Sequence, residues 1–179
     1  MLFLVEDKRF SIHLGFDPIA VIRAAIFNVQ KKSLQGASTI PQQIVSARIP
    51  RPIRISRSWK YKALQTALAF VHCISRSKVS LLHEYVNTIY WGRSYHGLDS
   101  AATGYFGCDR QSLSVTQSFF LAERIAAPNR MSAKRILNLV NRKPIKAGLA
   151  RHGATVANVF EVYSRIYGNG GGLCQLRER

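Results

Sequence analysis

Apolar positions recur at helical spacing along most of this chain. Asp17-Pro18 joins an N-cap residue to a first-turn proline and opens an apolar run over residues 19–29, broken only by Arg23 and Asn28. The run predicts a helix, and on its residues alone a buried core helix. Ser38 or Thr39 can cap a second helix through about Arg48, with Pro41 tolerated in the first turn. Pro50 and Pro52 make residues 49–56 loop or extended chain. Ser58 opens a third helix, whose Ala63, Leu64, Ala67, Leu68, Val71 and Ile74 keep helical spacing. Ser77 starts a fourth, with Leu81, Leu82, Tyr85, Val86 and Ile89 on one face. Ser114-Val115-Thr116-Gln117 has the form of a capping box for a helix to about Ala126. Val156, Val159, Phe160, Tyr163 and Ile166 mark a last amphipathic helix that Gly168 ends. No stretch alternates convincingly as a strand, and none repeats. The predicted fold class is mostly α.

With 179 residues, 47% of them hydrophobic, the chain can bury a sizeable core as one domain without disulfides or metal. That domain is expected over residues 1–167, followed by a flexible Gly-rich tail over 168–179. Cys73, Cys108 and Cys174 are odd in number and far apart, which suggests free thiols, and no Cys/His spacing reads as a zinc site. The net charge of +17 changes the picture more. It attracts polyanions: nucleic acid, anionic lipid headgroups, or a pyrophosphate-bearing substrate. Composition alone puts nucleic acid first, but the chain carries no nucleic-acid recognition motif and no aromatic-basic repeat. No segment approaches the roughly 20 apolar residues of a spanning helix. The apolar opening, residues 1–5, lacks the basic start and cleavage site of a signal peptide.

Five ordered segments then narrow the function. Glu6-Asp7-Lys8-Arg9-Phe10-Ser11-Ile12-His13-Leu14-Gly15-Phe16 and Gln35-Gly36-Ala37-Ser38-Thr39-Ile40-Pro41-Gln42-Gln43 come first. Arg57-Ser58-Trp59 with Leu64 and Ser77-Lys78, Leu81-Leu82-His83-Glu84-Tyr85-Val86-Asn87 through Trp91-Gly92, and Leu121-Ala122 through Ala127-Pro128 follow. A small-residue helix, Gly97-Leu98-Asp99-Ser100-Ala101-Ala102, lies between the last two. In order and near-family spacing, these resemble the motifs of the family 51 glycosyltransferases, the peptidoglycan glycosyltransferases. The resemblance covers roughly residues 1–130. It implies a lysozyme-like bilobed helical domain that polymerises lipid-linked disaccharide, lipid II, into glycan strands. The implied location is the extracytoplasmic face of the bacterial inner membrane, with an anionic membrane surface and other cell-wall synthesis proteins as partners and no nucleic acid. Family members usually carry a membrane anchor before the first motif, so anchoring is expected either from sequence preceding this module or from elsewhere. The resemblance also gives the apolar run at 19–29 a second reading, as partial contact with lipid.

Residue by residue, Glu6 matches the essential glutamate and is the candidate base for the attacking hydroxyl; its bland alternative is a capping or solvated acid. Asp7 is expected to orient neighbours or pair with cations. Phe10 and His13 match cleft-lining positions, and His13 either donates to substrate or fixes the turn before Gly15. Thr39 and Gln43 match donor contacts, at a helix N-terminus suited to pyrophosphate. Arg48, Arg57 and Lys62 supply cations. The family tolerates a divalent cation at the pyrophosphate; no metal ligand is assigned in this chain. Three positions depart from the pattern: Gln65 stands where the family has a second glutamate, Ser46 replaces a phosphate-facing lysine, and Tyr61 replaces an arginine. Glu84 lies one residue from the fourth motif's carboxylate. The departures predict slow or absent turnover that Gln65→Glu raises, with a non-catalytic descendant that binds lipid II, glycan or a partner as the alternative.

Overall fold

The computed structural model describes residues 1–31, 36–49 and 59–168. Their regular structure is α1 (Leu2–Val5), α2 (Pro18–Lys31), α3 (Ile40–Arg48), α4 (Trp59–Ser75), α5 (Lys78–Thr88), β1 (Tyr90–Gly92), β2 (Tyr95–His96), α6 (Leu98–Phe106), α7 (Val115–Ala126), α8 (Ala133–Val140), α9 (Lys143–Ala150) and α10 (Val156–Tyr167). The fold is mostly α, in keeping with the lysozyme-like class. It divides into two compact units: Met1–Glu6 with the chain from Ile89 onward, and Asp7–Thr88. Of the expected loop at 49–56 only Ile49 is described, as the extended residue that ends α3; the rest, and the Gly-rich tail beyond Gly168, lie outside the described residues.

In the first unit the core is built on α7. Ser114 and Gln117 close its capping box: Ser114 Oγ accepts from the Gln117 amide at 3.2 Å, and Gln117 Oε1 accepts from the Ser114 amide at 2.8 Å. The helix buries Phe119, Phe120, Leu121 and Ala122, packing on α1 and on Val159, Phe160 and Tyr163 of α10. A second capping box, Thr155 with Asn158, starts α10. Helices α8 and α9 were not expected from the pattern; each is only eight residues long. Ser132 caps α8, which buries Ile136, Leu139 and Val140 at i, i+3, i+4 spacing.

The sheet corrects the expectation of no strands. β1 and β2 form a small antiparallel hairpin whose turn residues, Arg93 and Ser94, have φ of 48° and 66°. Such turns normally use glycine or asparagine. Here tertiary bonds hold the turn: the Arg93 amide donates to Asn129 Oδ1 at 3.3 Å, and the Ser94 amide to the Tyr90 hydroxyl at 3.3 Å. The Arg93 guanidinium lies over the rings of Tyr105 and Tyr167.

In the second unit α3 packs against both α4 and α5, burying Ile40, Ile44 and Val45, while α5 buries Leu81 and Tyr85. One expectation of burial is overturned. On α2, Ile19, Val21, Ile22, Ile26 and Val29 are exposed, Val29 to 82%, and Ala24 is buried. On α4 the apolar face marked by the spacing is the outer one: Leu64, Leu68, Val71 and Ile74 are exposed, while Gln65, Ala69 and Cys73 are buried. Helical periodicity identifies a face without saying which side it meets. The side of α4 that meets α3 carries Gln65 and Thr66, which bond to the Gln42 carbonyl and side-chain amide, while Lys62 remains exposed.

Candidate active site

Asp7 organises the start of the second unit. Its carboxylate is buried; Oδ2 accepts from the Ile40 amide at 2.9 Å, and both oxygens lie within 3.0 Å of His13 Nε2. The Gly15 amide donates to His13 Nδ1 at 3.2 Å, which assigns the ring proton to Nε2, facing Asp7. His13 is buried with both nitrogens engaged, so of its two expected roles the structure supports fixing the turn. The turn is tight: Gly15 has φ of +89°, and a side-chain carbon there would lie 2.6 Å from the Ala69 backbone of α4.

Thr39 joins this frame from the other side. Its hydroxyl donates to the Gly15 carbonyl at 2.6 Å and accepts from the Gln42 amide, closing a capping box at the start of α3. The segment Thr39-Ile40-Pro41-Gln42 therefore carries a legible capping signature whose partner, Gln42, sequence reasoning did not single out. Phe10 is buried, edge-on to His13 at 6.3 Å, with the Lys78 ammonium 4.9 Å from its ring centre. Lys78 also donates to the His13 carbonyl and lies 3.8 Å from Cys73 Sγ. Burial pushes the Cys73 thiol above its ordinary pKa, against the pull of Lys78, which makes it a poor nucleophile.

A second polar group lies between α3 and α4. Lys62 Nζ donates to Gln65 Oε1 at 2.7 Å, Ser38 Oγ at 3.1 Å and Gln42 Oε1 at 3.4 Å. Partial burial lowers the Lys62 pKa from the ordinary lysine value. Gln65 Nε2 donates to the Gln42 carbonyl at 2.8 Å, and Gln42 Nε2 to Thr66 Oγ1 at 2.9 Å. The other two departures meet each other: Ser46 Oγ and Tyr61 Oη are 2.8 Å apart, so two expected cations are replaced by one pair of neutral hydroxyls. Gln43 Oε1 accepts from the Tyr85 hydroxyl at 2.8 Å. Arg48 pairs with Glu84, which Arg76 also engages. Glu84 is thus held by two arginines.

The structure therefore brings Asp7, Phe10, His13 and Thr39 into one frame and Lys62 with Gln65 into another. Arg57 lies outside the described residues. Glu6 is the last residue of the first unit, closing α1 with its amide donating to the Leu2 carbonyl at 2.9 Å. Its peptide bond to Asp7 is one of the points where the chain passes between units. Among the described residues no three His, Cys, Asp or Glu side chains gather as a metal-ligand set, and both Asp7 oxygens already have protein partners. Lys78, Tyr85 and Ser38 were missed as site-building residues, although each stands in one of the motif segments.

Known proteins give the same placement. A family model described as Transglycosylase matches residues 1–147. The chain is 33% identical over 130 residues to the biosynthetic peptidoglycan transglycosylase of Pseudomonas putida (strain W619), covering 73% of this chain and 54% of that protein. Against penicillin-binding protein 1A of Streptococcus pneumoniae (strain ATCC BAA-255 / R6) it is 33% identical over 125 residues, 70% of this chain and 17% of that one. Against penicillin-binding protein 1A of Rickettsia felis (strain ATCC VR-1525 / URRWXCal2) it is 30% identical over 161 residues, 87% of this chain and 19% of that one. The matched region thus spans about half of the first relative and under a fifth of the other two. With the family model covering residues 1–147, most of its length, the chain belongs to the transglycosylase family.

Proposed function

We propose that this chain is a peptidoglycan glycosyltransferase that works at a membrane surface, joining the glycan of one lipid-linked disaccharide pyrophosphate to the sugar 4-hydroxyl of another. The observation that carries this reading is the frame of Asp7, His13, Gly15 and Thr39, which locks the first two motifs together next to Glu6 in the chain. Glu6 takes the proton of the attacking hydroxyl as the new glycosidic bond forms. The bond to the pyrophosphate breaks, and Lys62, with Arg48 and Arg57, stabilises the departing charge. Phe10, Thr39 and Gln43 line the substrate path, and Asp7 and His13 set its geometry. No step is routed through a metal.

The test is direct. The chain is incubated with lipid-linked disaccharide in detergent or vesicles, and glycan strands are the expected product. Binding of that lipid without any polymer over many hours would support the non-catalytic binder instead, the reading that Gln65, Ser46 and Tyr61 motivate.

Membrane attachment rests on a separate observation. Of the sixteen large apolar side chains exposed among the described residues, all but Phe3 belong to the second unit. They cluster on α2, on the outer face of α4, and on the turn carrying Leu14 and Phe16. A soluble surface rarely presents so much apolar area without a contact that covers it. No helix among the described residues is long and apolar enough to cross a membrane, so the contact proposed is interfacial. The net charge of +17 directs it to anionic lipid. Leu64→Glu combined with Val71→Glu is expected to lower partition onto anionic vesicles at least about tenfold, since each apolar side chain contributes of order 1 kcal/mol or more when covered. The melting temperature should stay near wild type because both residues are exposed. Added salt should weaken wild-type binding. Co-sedimentation that ignores both the substitutions and the salt would remove the membrane assignment.

A further inference from the structure

We propose that Gln65 is a positioning residue: its neutral amide holds the Lys62 ammonium in place while leaving its charge uncompensated, so that Lys62 is free to bind a phosphate or diphosphate group. The proposal rests on the reading of the Lys62 group as part of a pyrophosphate site. It assigns position 65 a role different from that of a decayed catalytic acid.

The hydrogen bonds leave little freedom in how the two amides are oriented. Gln65 Nε2 donates to the Gln42 carbonyl at 2.8 Å, so Gln65 Oε1 is the atom that meets Lys62. Gln42 Nε2 donates to Thr66 Oγ1, which in turn donates to the Lys62 carbonyl at 2.9 Å, so Gln42 Oε1 also faces the ammonium. Ser38 Oγ completes the set. All three oxygens around Nζ are thus neutral, and Lys62 makes no ion pair among the described residues. Neutral acceptors orient an ammonium without cancelling its charge. The partial burial that lowers the Lys62 pKa reflects the same lack of a counter-charge.

A carboxylate at position 65 would fail in two ways. One oxygen would replace Nε2 and face the Gln42 carbonyl across 2.8 Å with no proton between them. The other would pair with Lys62 at the 2.7 Å now held by the amide and neutralise it. Gln65 is only 5% exposed, so water could do little to relieve the first conflict or screen the second.

The experiment titrates the full chain with inorganic pyrophosphate at low ionic strength, by calorimetry, alongside thermal melts. Lys62→Met and Gln65→Glu are each expected to weaken binding about tenfold, the scale of one charged hydrogen bond. Gln65→Met should cost nothing further in the Lys62→Met background, because the amide acts only through the lysine. Gln65→Met, which adds no charge, should lose less than Gln65→Glu at equal folding. Ser38→Asp makes the same prediction from an exposed position should Gln65→Glu not fold: a carboxylate set against the same ammonium weakens binding. A merely structural role would move the melts and leave affinity unordered by charge. Binding by Gln65→Glu equal to or tighter than wild type overturns the proposal, as does a loss from Gln65→Met that is as large in the Lys62→Met background as in wild type. Wild type that binds pyrophosphate while Lys62→Met is indifferent overturns the proposal alone. Wild type that binds none overturns the pyrophosphate reading of the Lys62 group as well.

Discussion

Glu6→Gln is expected to slow glycan polymerisation by about 10²- to 10⁴-fold, the range removed with a general base. Glutamine keeps the size and the hydrogen bonding but cannot accept the proton of the attacking hydroxyl. The loss should fall on kcat, with affinity for lipid-linked disaccharide kept within a few-fold, because the proton moves only in the transition state. The fold should be unaffected: Glu6 enters the α1 terminus through its backbone amide, and the Asp7 carboxylate anchors the following turn independently. Polymer yield is followed with labelled substrate, and melting with circular dichroism. A variant that polymerises at the wild-type rate would remove Glu6 from the chemistry. Asp7→Asn, by contrast, should act through the frame. One oxygen becomes an N–H donor facing either the Ile40 amide or His13 Nε2, so the cost should appear in melting as well as in rate.

The second large effect lies in the first unit and concerns stability. Glu123 and Arg124 are both 0% exposed. Glu123 Oε2 accepts from Arg124 Nε at 2.8 Å and from the Tyr163 hydroxyl at 2.9 Å, while Arg124 Nη1 donates to the Arg130 carbonyl at 2.9 Å. Arg135 reaches Glu123 Oε1 at 3.5 Å, and the Arg124 guanidinium lies over the rings of Phe120, Tyr163 and Tyr167. Burial, followed by the adjacent Glu123 charge, raises the Tyr163 pKa well above the ordinary tyrosine range, so it stays a donor. Glu123→Leu leaves a guanidinium buried without its carboxylate. The expected loss is about 3–5 kcal/mol, or roughly 6–20 °C in melting temperature at 2–4 °C per kcal/mol for a domain of this size. Combining it with Arg124→Met should recover part of that loss, since an apolar pair of similar volume often replaces a buried ion pair at little cost. A single variant that melts like wild type, or a double variant worse than the sum of its parts, would show that the pair contributes little.

Much of this protein was legible from residues that act locally. Thr39 with Gln42, Ser114 with Gln117, Pro18 after Asp17 and Gly168 after Tyr167 mark helix ends because caps and turns are satisfied within a few residues. The ordered motifs identified the family by the same kind of short-range reading. Tertiary structure decided the rest. The Arg93-Ser94 hairpin depends on Asn129, Tyr105 and Tyr167, none of them near it in sequence, and α8 and α9 are too short for periodicity to single out. The second unit shows the limit most clearly. The spacing of Leu64, Leu68, Val71 and Ile74 determined a helix and a face, but not that this face would turn outward. That direction was decided in the folded chain, where the buried Gln65 donates to the Gln42 carbonyl and the buried Gln42 side chain to Thr66, holding the Gln65 side of α4 on α3. Apolar residues can be covered by any apolar neighbour, whereas a buried donor or acceptor needs a particular atom at a particular distance, and only the folded chain supplies it.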